Sequence, residues 1–150
     1  MSNRRQRIKQ SQAVALYHQT SRDAWTAISA SGKMLRGSQG MAGGGVYFAV
    51  SVADTGRKAK AFGVIIRCQV KLGRIKDVDR NGAPGVTFTA LNAEGYDSVM
   101  IPRDNGREHV VYNHDQVVID SYSQDKGATW TAYLLRKCRV VGCNDCGTGF

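Results

Sequence analysis

The sequence predicts a strand-dominated α+β domain with mixed or antiparallel sheets and one or two short helices. Three observations point there. Runs of β-branched and aromatic residues recur along the chain, glycine- and asparagine-rich breaks separate them, and few stretches keep a helical period. At 150 residues the chain is the size of one ordinary domain. Apolar residues make up 42 % and charged residues 22 %, a globular balance that excludes wholesale disorder. No run approaches the ~20 apolar residues of a membrane span. The basic start MSNRRQRIKQSQ has no apolar segment behind it and does not read as a secretory signal. The expected compartment is intracellular, cytoplasmic or nuclear, and the expected state is a monomer.

Residues 1–12 read as a basic arm, solvated or free to touch an anionic partner. After it, AVALYH (13–18) is an apolar run fit for a buried strand. TSRDAWTAISASG then carries a Thr/Ser cap signal, Asp23 in the first turn, Trp25 and Ile28 three apart, and a stop at Gly32, which predicts a helix. RGSQGMAGGG (36–45) has five glycines and no aliphatic period, so it is a loop; it feeds the strand GVYFAVS. DTGRKAKA (54–61) reads as a helix behind an Asp54 cap, and GVIIRCQVKLGRIKDV as one long strand or two. Residues 80–92 read as a loop with a threonine-rich piece. YDSVMIP (96–102), EHVVYN (108–113) and QVVIDSY (116–122) read as strands, the first two joined by a hairpin turn at Asn105 and Gly106. Residues 13–122 therefore make the domain, and 123–150 an extension that completes or trails it.

The formal net charge is +9 and the pI about 9.7, which points to an anionic partner or substrate, whether nucleotide, nucleic acid or acidic protein. Cys138, Cys143 and Cys146 crowd the end of the chain, the last two as CxxC. They are weak zinc candidates, because a fourth ligand would have to come from Cys68 or a distant histidine; free thiols are the expected state.

Three stretches put polar or aromatic side chains where a strand would carry only packing. His18 stands where a strand gives way to a helix cap. Tyr47 follows a glycine loop that would let a flat ligand approach the backbone. In GREHVVYNHDQVV (106–118), alternation puts Glu108 on one face with Val110 and Tyr112, and His109 on the other with Val111 and Asn113. A carboxylate on an apolar face is costly unless paired or set in a cleft. A plainer reading leaves Glu108 outside the hydrophobic segment and wet. His114 and Asp115 fall in a break before the next strand.

In this order LYHQTS, GGGVYFAVS and GREHVVYNHDQV resemble the catalytic domain of the poly(ADP-ribose) polymerase-like ADP-ribosyltransferases, the diphtheria-toxin-type group with a His-Tyr-Glu triad. TAISASG, KAKAFGVIIRCQVKLG and YDSV extend the resemblance over roughly residues 13–122. It implies the ADP-ribosyltransferase fold and an NAD-consuming enzyme that transfers ADP-ribose to a protein or nucleic-acid acceptor without a metal; the glutamate permits single units or chains, and the short loops favour single units. His18, Tyr47 and Glu108 would be catalytic. His18, Gln19, Thr20, Arg36, Gly45, Tyr47 and Lys58 would hold NAD: His18 and Thr20 on the adenine-side ribose, the Gln19 backbone on the nicotinamide carboxamide, Tyr47 stacked on the nicotinamide ring. The chain departs from the family pattern at Gln19, where glycine is usual, and at Ala59, where serine often follows the lysine. The competing expectation is a non-catalytic module on the same fold that binds NAD, ADP-ribose or nucleic acid.

Overall fold

A computed structural model describes residues 3–58, 61–104 and 106–134, with the backbone alone described at 57 and 58. Helix α1 (Arg4–Gln10) is capped by Asn3, and β1 (Ala13–Thr20) follows. Helix α2 (Arg22–Ser31) starts where the Ser21 hydroxyl accepts from Ala24 N–H and stops at Gly32, whose φ of +73° supplies the left-handed cap the sequence calls for. Strand β2 (Val46–Ala49), helix α3 (Val52–Lys58), strands β3 (Val64–Lys71) and β4 (Ile75–Asp77) and helix α4 (Phe88–Ala93) come next. Strands β5 (Ser98–Arg103) and β6 (Gly106–Val111), a 3-10 turn at His114–Gln116, β7 (Val117–Ser123) and β8 (Thr131–Ala132) complete the described chain.

The strands form one eight-stranded sheet in the order β4-β5-β6-β2-β1-β3-β7-β8. All pairs are antiparallel except β4 with β5. Alternation sorts β6 as expected. Val111 joins a core with Leu16, Phe48, Ile66 and Trp25 of α2, while Val110 and Tyr112 join a second core with Ile101 and Leu91 of α4. The sheet thus separates two apolar layers. The class is α+β and strand-dominated.

Several expectations need correction. The basic arm is a helix bound to the domain: Ile8 is buried, Arg4 makes two hydrogen bonds to Asp115, and Arg7 pairs with the fully buried Asp97. Arg5 and Lys9 remain exposed. The cap of α3 is Ser51, whose hydroxyl accepts from Asp54 N–H, so Asp54 lies inside the first turn. Residues 88–93 are helical because the Thr87 hydroxyl caps Ala90 N–H and Leu91 buries itself in the second core. Of the two readings of residues 63–78, one long strand or two, the structure takes the second, β3 and β4. The RDNG hairpin, by contrast, is as expected: β5 and β6 pair antiparallel with Arg103 facing Gly106, which takes a positive φ of +104°; Asn105 lies outside the described residues.

Among the described residues no helix is long and apolar enough to cross a membrane.

Candidate active site

The site arises where two neighbouring strands part. β1 runs beside β3 through eight register pairs, yet among the described residues it pairs with β2 only where Tyr17 faces Ala49. The divergence opens a cleft of about 310 Å³ between the ends of β1, β2 and β6, roofed by the glycine loop and α3. Its lining includes His18, Gln19 and Thr20 from β1, Tyr47 and Ala49 from β2, and Glu108 from β6.

His18 Nδ1 lies 2.6 Å from the Tyr47 carbonyl oxygen. A carbonyl only accepts, so Nδ1 carries the proton and Nε2 is left as an acceptor. Burial pushes the imidazole below its usual range, against the opposing pull of that hydrogen bond, which keeps it neutral at neutral pH. Its ring meets Phe48 edge-on at 5.9 Å.

Tyr47 is fixed through its hydroxyl, which donates to Gly43 O at 2.5 Å and accepts from Ala42 N–H at 2.8 Å. A Cβ on Gly40 would stand 2.2 Å from that oxygen. Gly40 therefore lets its loop lie against the tyrosine, and the same loop lines the cleft through Gln39, Gly40 and Met41. Burial raises the phenol's proton affinity and the Glu108 carboxylate adds to it, so the hydroxyl stays protonated as a donor.

Glu108 is 7 % exposed and sits three residues into β6, opposite Ala49 on one side and Ile101 on the other. The wet alternative is excluded. Arg103 Nη1 is 3.8 Å from its Oε2, and the same guanidinium also meets the Met41 sulfur.

Gln19, read as a backbone contact, also places its side chain at the cleft, where Nε2 donates to Thr55 Oγ1 at 3.0 Å. Thr55, Gln39, Met41 and Arg103 escaped the sequence reading. The register of β5 on β6 brings in Arg103, the docking of α3 brings in Thr55, and the path of the glycine loop brings in Gln39 and Met41. Arg36 and Gly45 do not line the cleft: the Arg36 guanidinium lies over the Phe88 ring at 5.4 Å, and Gly45 packs against Val110 and Val111. The Lys58 side chain lies outside the described residues, as do Cys138, Cys143 and Cys146. Cys68 is buried in the first core beside the Met34 sulfur, and burial raises its thiol pKa, so it is no surface ligand. Among the described residues no three His, Cys, Asp or Glu side chains cluster as a metal site.

His109 faces away from the cleft. Its Nε2 accepts from Arg107 Nε at 3.2 Å, and its Nδ1 is buried with no hydrogen-bond partner among the described residues. Burial first, and the Arg107 charge second, hold it below the usual histidine range, against a smaller pull from Asp77. The stability consequence follows for both histidines. Their folded pKa values lie below the unfolded value of about 6.5, so the unfolded chain takes up protons first as pH falls. Thermal melts between pH 7.5 and 5 should show stability dropping below about pH 6.5, by up to about 1.4 kcal/mol per pH unit for each histidine. His109→Asn should flatten that slope. A stability that holds level down to pH 5 would contradict the buried neutral assignment.

Neither a protein-family model nor a curated protein sequence matches the chain.

Proposed function

We propose that the chain is an NAD-dependent ADP-ribosyltransferase that releases nicotinamide and passes single ADP-ribose units to a macromolecular acceptor. The observation that supports this reading is the meeting of His18, Tyr47 and Glu108, far apart in sequence, on one cleft. The roles follow from their chemistry. Neutral His18 offers Nε2 to a ribose hydroxyl and holds the dinucleotide in register. The tethered Tyr47 ring presents a face to the nicotinamide, which is flat and cationic before it leaves. The Gln19–Thr55 pair offers an amide and a hydroxyl for the carboxamide. Glu108 accepts from the nicotinamide-ribose hydroxyl and places negative charge where the sugar becomes cationic as its bond to nicotinamide breaks. The leaving group accepts the bonding electron pair and becomes neutral, which favours its departure. The cleft volume is at the low end of the range of about 300–1,000 Å³ for ligand pockets. It suits one end of the dinucleotide, the remainder lying along the rim.

Incubation with adenylate-labelled NAD, a protein mixture, and single- and double-stranded nucleic acid should release nicotinamide and label one class of acceptor. Tight, salt-dependent nucleic-acid binding with no nicotinamide released would instead favour the binding module, which the charge of +9 also suits. A narrower check concerns the ring. Tyr47→Ala should weaken nicotinamide-like inhibitors by roughly tenfold, the scale of a lost desolvated cation–π or stacking contact. Unchanged affinity would mean that no inhibitor ring stacks there.

A further inference from the structure

We infer that the protein carries a second binding surface, at the end of the sheet away from the cleft, that holds the phosphate backbone of a nucleic acid. The docking of α1 builds it. Arg4 and Arg7 face the domain, engaged by Asp115 and Asp97, and Ile8 is buried beside them. Helical spacing then puts Arg5 and Lys9, one turn apart, on the outward side, where both are exposed.

The helix ends against the turn that follows β3. The Lys71 ammonium donates to Lys9 O at 3.4 Å, and Gly73 N–H donates to the Ser11 hydroxyl at 3.1 Å, so the basic residues of the two segments share one surface. The next residue, Arg74, is exposed, with its guanidinium 4.7 Å from the centre of the Tyr96 ring. The carboxylates around them are already committed. Asp97 accepts from Arg7 and from Arg74 N–H, and Glu94 pairs with Lys76 at 2.6 Å. Among the described residues, none of Arg5, Lys9 and Arg74 forms an ion pair. Cations gathered on one surface repel one another, and a polyanion laid across them relieves that repulsion.

The neighbouring side chains favour a nucleic acid among polyanions. Gln6, Gln10 and Gln12 are exposed among the cations and add amide N–H groups, which contact phosphate oxygens as Arg and Lys do. The exposed apolar side chains of the flanking strands, Val14 and Ile75, are small and held in β1 and β4. They supply neither the aromatic centre of a protein interface nor the face of an amphipathic helix that enters a bilayer. The Tyr96 ring already carries Arg74 and Lys76, so stacking of unpaired bases is not what the surface offers. It fits phosphates without reading bases, on a duplex as well as on a single strand.

The surface stands apart from the cleft. Lys71 pairs with Ala13 at the start of β1, and His18 lies further along the same strand, about 17 Å away at the rise of extended chain. A strand held here leaves the cleft open.

The test follows the anisotropy of a labelled DNA duplex of mixed sequence, and of its separate strands, as the full chain is added at salt between about 50 and 200 mM. Three neutralised phosphates give a slope of log K on log salt of about −3 for the duplex. Arg5→Glu with Lys9→Glu should weaken binding at least about tenfold at the low-salt end and flatten the slope to about −1; Arg74→Gln alone should flatten it by about one. Lys33→Glu with Lys126→Glu makes the same change in net charge at exposed positions elsewhere and should bind within about threefold of wild type. Equal weakening in the two double variants would mean that net charge alone attracts the duplex. Poly-glutamate or phosphatidylserine vesicles that compete better than unlabelled duplex at equal charge would assign the surface to an acidic protein or a membrane. Either result, or no duplex binding by wild type, would overturn the inference. Thermal melts report the folding of each variant, and Arg74→Gln leaves α1 untouched should the charge reversal loosen it. Binding is read without NAD, so the outcome is independent of the transferase reading.

Discussion

Glu108→Gln should lower ADP-ribose transfer by a few hundred-fold while NAD still binds within several-fold of wild type. The substitution keeps the shape of the side chain and removes its charge. Glutamine can still bond a ribose hydroxyl, so ground-state contacts largely survive. What it cannot supply is negative charge as the sugar becomes cationic. A preorganised charge or donor aimed at a transition state is worth roughly 3–4 kcal/mol, by analogy with oxyanion-hole donors, and that barrier converts to the stated rate loss. The position of Glu108 supports a value of this size: at 7 % exposure, little water screens it. The loss should fall on kcat, because the interaction grows only in the transition state. Equal, near-zero turnover in wild type and variant would sink the enzyme reading. A rise in KM with kcat intact would make Glu108 a binding group.

The parts of the molecule that could be read from the sequence are those whose cause is local. The apolar run at 13–18 and the β-branched runs within 63–78 and 116–122 became β1, β3 and β7, and α2 announced itself through Ser21 and Gly32. Helix α4 did not, because TFTALNA is rich in residues of modest helix propensity and forms its single turn and a half by burying Leu91. Helix α1 was illegible for a stronger reason: a seven-residue helix is marginal in water, and its supports, Asp97 and Asp115, lie far along the chain. The site divides in the same way. The face of Glu108 follows from alternation within β6, whereas the cleft depends on β1 and β2 diverging, and the place of Arg103 depends on the β5–β6 register. No periodicity in one segment contains those facts.

The second large effect concerns α1. Arg7→Met should destabilise the fold by about 3–5 kcal/mol, the cost of leaving a buried charge without its partner. Asp97 is fully buried and accepts from Arg7 Nε at 2.8 Å, Arg7 Nη2 at 2.9 Å and Arg74 N–H at 2.8 Å. The carboxylate in turn holds the guanidinium above the usual arginine range, its hydrogen bond being the largest cause. Removing Arg7 leaves one backbone donor for a carboxylate that water does not reach. One consequence separates this from a simple loss of contact. Adding Asp97→Asn to Arg7→Met should restore stability, since the amide oxygen still accepts from Arg74 N–H and no buried charge remains. A cost below about 1 kcal/mol, the size of an exposed ion pair, would mean that α1 does not dock through Asp97 in solution. By contrast Arg4→Ala should cost little: Asp115 is half exposed, at 52 %, and water can replace the guanidinium. The two arginines stand on one short helix and make similar bonds, and it is the burial of the partner carboxylate that sets their unequal worth.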